Sequence, residues 1–153
     1  MAFNPTTPLT GATVAGLTSP TYTLSVDTPP TPNGKQYAIT ALGGTQTSVT
    51  TTSAASPFTL SFFKPSVLKQ KVVDSLGRTM QAPMNVYKVI TRKGVVLDTL
   101  NTPRLCLITT TIEVPAGAEV YDVNNVKAAL SCHIGALSDQ SSGISVTTYT
   151  GVL

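Results

Sequence analysis

Lys88 and Arg92 stand four residues apart in "NVYKVITRKG" (85–94), a stretch that alternates apolar and polar side chains. In a strand, positions two and four apart emerge on the same side, so the ammonium and the guanidinium share a face. Cations held on a flat, extended surface attract a phosphate backbone, and an arginine adds directed hydrogen bonds. The wider charge pattern agrees. From Lys64 to Arg104 eight basic residues (Lys64, Lys69, Lys71, Arg78, Lys88, Arg92, Lys93, Arg104) face only Asp74 and Asp98, a net +6, while residues 1–63 are neutral and 105–153 carry −3. Such asymmetry fits a polyanion on one surface, against the plainer reading of ordinary solvated charge.

Other chemistries find less support. The single histidine, His133, falls within a helical stripe, where a structural imidazole is the expectation, and no serine partner can be placed beside it. "GxSxG" is absent, and "GATVAG" lacks the lysine and spacing of a phosphate loop. Asp27, Asp74, Asp98, Glu113, Glu119, Asp122 and Asp139 are scattered without an acid/base pair. Cys106 and Cys132 have neither CxxC spacing nor a histidine cluster, which argues against zinc and redox motifs. They are expected as buried free thiols, with a disulfide left open because spacing alone does not fix the distance between α-carbons. An enzyme is therefore not expected, nor a metal or cofactor.

The elements that position the cations follow from composition and period. With 153 residues, 41% hydrophobic and 11% charged, eleven Gly, eleven Pro and no Trp, the chain reads as one β-rich domain. "TYTLSV" (21–26) and "KQYAITAL" (35–42) are expected strands separated by the turn "DTPPTPNG", and "GG" (43–44) is expected to turn the second into "TQTSVTTT" (45–52). In "PFTLSFF" (57–63), Phe58, Leu60 and Phe62 point one way, Thr59 and Ser61 the other. A long loop (64–83) carries "DSLGR" as a turn, residues 84–92 form the next strand, and 93–103 form a loop. "RLCLITTTIEVP" (104–115) sets Cys106, Ile108, Ile112 and Val114 against Leu107, Thr109, Thr111 and Glu113.

Residues 122–140 form the one clear helix, with Asp122 as N-cap and Val123, Val126, Leu130, Ile134 and Leu137 as its apolar stripe. A shorter helix is allowed near 143–149, and the terminal "GVL" is suited to docking. The plan is α+β: strands first, helices last, an antiparallel sheet with one face covered and one open. One helix is too narrow to cover such a sheet, and a dimer with sheets joined edge to edge would solve the problem. No run of about 18 apolar residues is present, and "MAFNPTTPLTG" lacks the pattern of a signal peptide, so no membrane span and a cytoplasmic product are expected.

Taken in order, "NVYKVITRKG", "LITTTIEVPAG", "NVKAALSCHIGALSDQSSGI" and the closing "GVL" resemble the coat protein of a single-stranded RNA bacteriophage of the levivirus type. The resemblance covers most of the chain from about residue 20 and is strongest over 84–153. It implies an N-terminal β-hairpin, a five-stranded antiparallel sheet and C-terminal helices that interlock across a homodimer. One coat domain over 1–153 would then divide into hairpin and first strands (1–56), central sheet (57–115) and helical region (122–153). It further implies a quasi-equivalent icosahedral shell of dimers in the virion, assembled in the bacterial host cytoplasm. Its open sheet face would turn toward single-stranded viral RNA, binding a hairpin that can repress replicase translation.

On that resemblance the RNA-binding positions are Thr59, Ser61, Lys88, Arg92, Thr109 and Thr111, whose hydroxyls and cations can meet bases, riboses and phosphates. Tyr87, opposite Lys88, is expected in the core. Val126, Leu130, Ile134 and Leu137 would form the dimer interface, and Lys93, Gly94 and Asp98 an inter-dimer loop. The alternative from another class is a β-rich ligand-binding or adhesin module, which five Tyr, four Phe and no signal peptide fit less well.

Overall fold

The alternating segments pair into one antiparallel meander. The computed structural model describes residues 3–99 and 102–153, and its main sheet has the order β1-β2-β3-β4-β7-β8. These strands are β1 (Leu9–Thr10), β2 (Thr18–Asp27), β3 (Gly34–Thr45), β4 (Phe58–Phe63), β7 (Met84–Val95) and β8 (Arg104–Pro115). Between β4 and β7 the chain makes a separate hairpin of β5 (Val72–Val73) and β6 (Thr79–Gln81). Five long strands match the expected sheet. The two-residue β1 is a sixth, and the hairpin resolves the undecided loop at 64–83, turning at Asp74, whose carboxylate binds Arg78.

Two loop expectations need correction. Gly43 and Gly44 do not turn the chain: β3 runs through them to Thr45, and no strand occupies 46–52. The reason is close approach. Gly44 has φ +73° and lies so near the Thr18 and Ser19 carbonyls that no side chain could fit, so glycine here lets β2 and β3 stay paired through a bulge. Similarly, Lys93 and Gly94 lie inside β7 rather than in a loop, because the Gly94 N–H donates to Pro57 O at 2.7 Å and Gly94 abuts Ser56 too closely for any side chain. The β7–β8 loop is therefore 96–103, which keeps Asp98; its Leu100 and Asn101 lie outside the described residues.

One face of the sheet holds the core. Leu24, Tyr37 and Ile39 are buried, with Leu9, Tyr22, Leu42, Phe58 and Leu60 packed around them; burial of each large apolar side chain contributes about 1.5–3 kcal/mol. The N-terminal segment covers this half. Phe3 stacks on Phe62 at 5.0 Å, and the Tyr37 hydroxyl donates to Asn4 Oδ1 at 3.2 Å. Tyr87 lies on the same face, stacked on Phe62 at 6.4 Å, as its alternation with Lys88 requires.

Three helices follow β8: α1 (Ala118–Tyr121), α2 (Val123–Asp139) and α3 (Ser141–Thr150). The expected helix appears as α2 with Asp122 at its N-cap, although the Asp122 carboxylate accepts from Asn125 Nδ2 at 2.8 and 2.9 Å and makes no cap bond. α3 takes in more of the Ser/Thr-rich tail than expected. Thr148 and Thr150 donate their hydroxyls to the carbonyls of Ile144 and Val146 one turn back, which satisfies those hydroxyls within the helix. No residue of the three helices is buried.

Asn85, 1% exposed, ties the hairpin excursion to β7: its Oδ1 accepts from Lys69 N at 2.8 Å and its Nδ2 donates to Lys69 O at 3.1 Å. Asn85→Ala leaves both backbone groups without this partner, at a cost of about 1–3 kcal/mol. Limited trypsin digestion should cleave the variant faster after Lys69 and Lys71, while unchanged cleavage would show that the hairpin is held elsewhere.

Candidate nucleic-acid interface

Register decides which side chains share the other face. Across β3, β4, β7 and β8 the directly opposed residues run Gly34-Phe63-Lys88-Thr111, then Gln36-Ser61-Ile90-Thr109, then Ala38-Thr59-Arg92-Leu107. Directly opposed residues in antiparallel strands project to the same side. All six sequence-predicted positions, Thr59, Ser61, Lys88, Arg92, Thr109 and Thr111, therefore fall in three successive rungs of one face.

They do not all meet solvent. Lys88, Thr109 and Thr111 are exposed and Arg92 is half-buried, whereas Thr59 is 6% exposed and Ser61 fully buried. The Ser61 hydroxyl donates to Gln36 Oε1 at 2.9 Å and accepts from Arg92 Nη1 at 3.0 Å. Ser61 thus supports the cation beside it. Thr59 Oγ1 is buried with no hydrogen-bond partner, directly opposite Arg92.

Sequence reasoning missed three members of this face. Gln36 and Asp27 lie on it, with Gln36 Nε2 donating to Asp27 Oδ2 at 2.7 Å, and Phe63 places an aromatic ring opposite Lys88. Gly34 permits the ring to lie close, since a side chain there would collide with Phe63. The signal was available: Gln36 alternates with Tyr37 in "KQYAITAL", and Phe63 has the parity of Thr59 and Ser61.

The opposite face of the same strands carries a different cation. Lys93 Nζ sits 5.0 Å from the Phe58 ring centre and donates to Thr50 Oγ1 at 2.9 Å, and burial there holds its ammonium below the usual lysine range. Lys93 does not join Lys88 and Arg92.

A virus-like particle of bacteriophage ESE020 has a subunit 51% identical to this chain, with a TM-score of 0.95, covering 99% of this chain and 100% of that one. The chain belongs to the RNA bacteriophage coat proteins. A virus-like particle of Wenzhou levi-like virus 4 is 14% identical, with a TM-score of 0.43, over 80% of this chain and 74% of that one. No protein-family model and no curated protein matches. Membership makes the coat protein a structural protein and not an enzyme.

Among the described residues β8 pairs only with β7, which leaves its outer backbone edge open, and Leu107 and Ile108 on it are 56% and 64% exposed. Between α2 and the β7–β8 half of the apolar face lies a cleft of about 710 Å³, lined by Phe62, Tyr87, Ile112, Val126, Leu130 and His133. Of the predicted dimer stripe, Val126 and Leu130 line this cleft, and Leu130, Ile134 and Leu137 are all exposed. His133 lines the cleft, exposed rather than packed.

The expectation of buried thiols also needs correction. Cys106 and Cys132 are free and exposed, one on the open edge strand and the other on α2, where the described residues provide no cover. Among the described residues no group of His, Cys, Asp and Glu could hold a metal ion, and no helix is long and apolar enough to cross a membrane.

Proposed function

We propose that the coat protein dimerises through its β8 edge and α2, and that these dimers assemble into an icosahedral shell enclosing single-stranded RNA, with the polar sheet face inward. The observation that carries this reading is the unfinished apolar face: a long free edge strand beside an open cleft under a helix with no buried residue. Free strand edges template pairing, and large apolar surfaces mark interfaces. Two copies related by a two-fold axis can pair β8 with β8 and place apolar side chains of one copy's α2 against the cleft of the other. The full-length similarity to a subunit of a virus-like particle supports assembly of the same kind here.

With the helices on one side of such a dimer, the other side is a continuous platform carrying Lys88 and Arg92 from each copy. Its charge suits phosphates, and its exposed Thr109 and Thr111 hydroxyls and Phe63 ring suit the loop of an RNA hairpin. A dimer bound to a hairpin at the replicase start would repress its translation and mark the genome for packaging in the host cytoplasm. The 96–103 loop with Asp98 is the inter-dimer contact. Lys93 and Gly94, held on Thr50 and Pro57 near the end of β7, lead into that loop.

Purified recombinant protein viewed by electron microscopy should form uniform spherical shells, and absorbance at 260 against 280 nm on the same fraction should report nucleic acid inside. Small species free of RNA would refute both parts of the reading.

Leu130→Asp places a carboxylate where a second copy would bury it, and should abolish the dimer in sedimentation analysis. A variant dimer of unchanged stability would remove α2 from the interface. Lys88→Ala should weaken RNA binding without weakening dimerisation and reduce the slope of log affinity against log salt by about 0.7, the value for one lost single-strand phosphate contact. An unchanged slope would place Lys88 away from the RNA backbone.

A further inference from the structure

The two cations of the polar face are held differently. Among the described residues Lys88 is exposed and makes no hydrogen bond or ion pair, so its ammonium is a mobile point charge. Arg92 is half-buried and terminates a chain of hydrogen bonds that crosses four strands. Asp27 on β2 accepts from Gln36 Nε2 on β3 at 2.7 Å. Ser61 Oγ on β4 donates to Gln36 Oε1 at 2.9 Å, and Arg92 Nη1 on β7 donates to Ser61 Oγ at 3.0 Å.

The direction of this chain follows from its ends. An ionised carboxylate only accepts, so Asp27 draws the amide NH₂ of Gln36 toward itself and turns the amide oxygen toward Ser61. That oxygen only accepts, so the single hydroxyl proton of Ser61 points to it and a lone pair is left for Arg92. A guanidinium only donates, so the chain closes without conflict. Reversing any one group would set two donors or two acceptors against each other. Gln36 Nε2 has a longer second contact to Thr28 O at 3.4 Å that does not alter this order.

We infer that the Asp27-Gln36-Ser61 chain fixes the Arg92 guanidinium as the sequence-reading group of the RNA face, while Lys88 supplies charge without selectivity. The inference rests on the RNA-binding reading above. One Nη1 hydrogen is committed to Ser61, and the remaining N–H groups keep a paired donor edge in a set orientation. That edge matches two acceptors on one rigid group, and the O6 and N7 pair of an unpaired guanine in a hairpin loop fits it. A fixed fork discriminates among bases because a misplaced acceptor cannot be followed by the side chain. A free lysine follows any phosphate. Asp27, Gln36 and Ser61 are thus positioning residues that need not touch the RNA.

The test uses the assembled protein's dimers and a pool of RNA hairpins with a constant stem and a randomised loop. Wild type and Lys88→Ala should enrich the same guanine-containing loops, with Lys88→Ala lowering affinity for enriched and unselected hairpins alike. Gln36→Leu should lower affinity for the enriched hairpin about tenfold, as expected for losing the geometry of one strong hydrogen bond, and leave affinity for the unselected pool unchanged. Asp27→Ala acts from the edge of the face, leaving the Gln36 and Ser61 side chains present but their hydrogen-bond direction unset, and should lower affinity for the enriched hairpin by about threefold; it decides the matter if Gln36→Leu does not fold. Wild-type affinity for the enriched hairpin in both folded variants would overturn the inference, as would a wild-type protein that binds the pool but enriches no loop. A wild-type protein that binds no RNA would overturn the RNA-binding reading itself.

Discussion

The register of β7 between β4 and β8 is the constraint on which the rest depends. Side chains alternate along a strand, so a slip of one residue would carry Lys88 and Arg92 to the apolar side and turn Tyr87 and Val89 to solvent. Several contacts oppose that slip. Gly94 is held by Pro57 and pressed on Ser56 at one end, Asn85 grips Lys69 at the other, and Tyr87 stacks on Phe62 between them. Arg92 then reaches Ser61 only because it stands opposite Thr59. The cationic face is a consequence of packing on the other side.

A single copy leaves that packing incomplete. The N-terminal segment covers the β2–β4 half of the apolar face through Phe3, Asn4 and Leu9, and the Ser141 hydroxyl ties the start of α3 back to Thr13 O. The β7–β8 half faces the cleft instead, lined by Tyr87 and Ile112 from the sheet and Val126 and Leu130 from α2. Apolar surface of this extent, next to an unpaired strand edge, stores the free energy of association that a coat protein needs.

On the polar face a buried hydroxyl holds a charged side chain of the same face. Ser61 has no exposed area, yet through its one proton and one lone pair it passes the direction set by Asp27 to a guanidinium three strands away. Low dielectric around such a chain makes each satisfied bond stronger and each reversed one costly. Among the described residues, Thr59 beside Arg92 is the one buried hydroxyl of this face without a hydrogen-bond partner.

The sequence by itself determined strand parity and helix period, because both are local: two-residue alternation placed Thr59 with Ser61, Lys88 with Arg92 and opposite Tyr87, and Thr109 with Thr111, each pair on one side of its own strand, and the stripe from Val123 to Leu137 pointed to a helix over 122–140, within a residue of α2 at each end. That the three pairs share one face is a matter of register between strands. Resemblance carried the family from the order of those segments. Only the tertiary structure decided what depends on distant neighbours. Gly43 and Gly44 read as a turn but continue β3, since the Thr21 side chain and the Thr18 and Ser19 carbonyls of β2 press against them, and β7 extends through Lys93 and Gly94 because Pro57 and Ser56 hold Gly94 there. The exposure of Cys106 and Cys132 likewise follows from which elements cover which surface, and the burial of Thr59 and Ser61 from the longer side chains that adjoining strands set beside them, Arg92 opposite Thr59 and both Gln36 and Arg92 on Ser61. The hydrogen-bond chain from Asp27 to Arg92 joins residues 65 positions apart, a proximity that only the paired strands create.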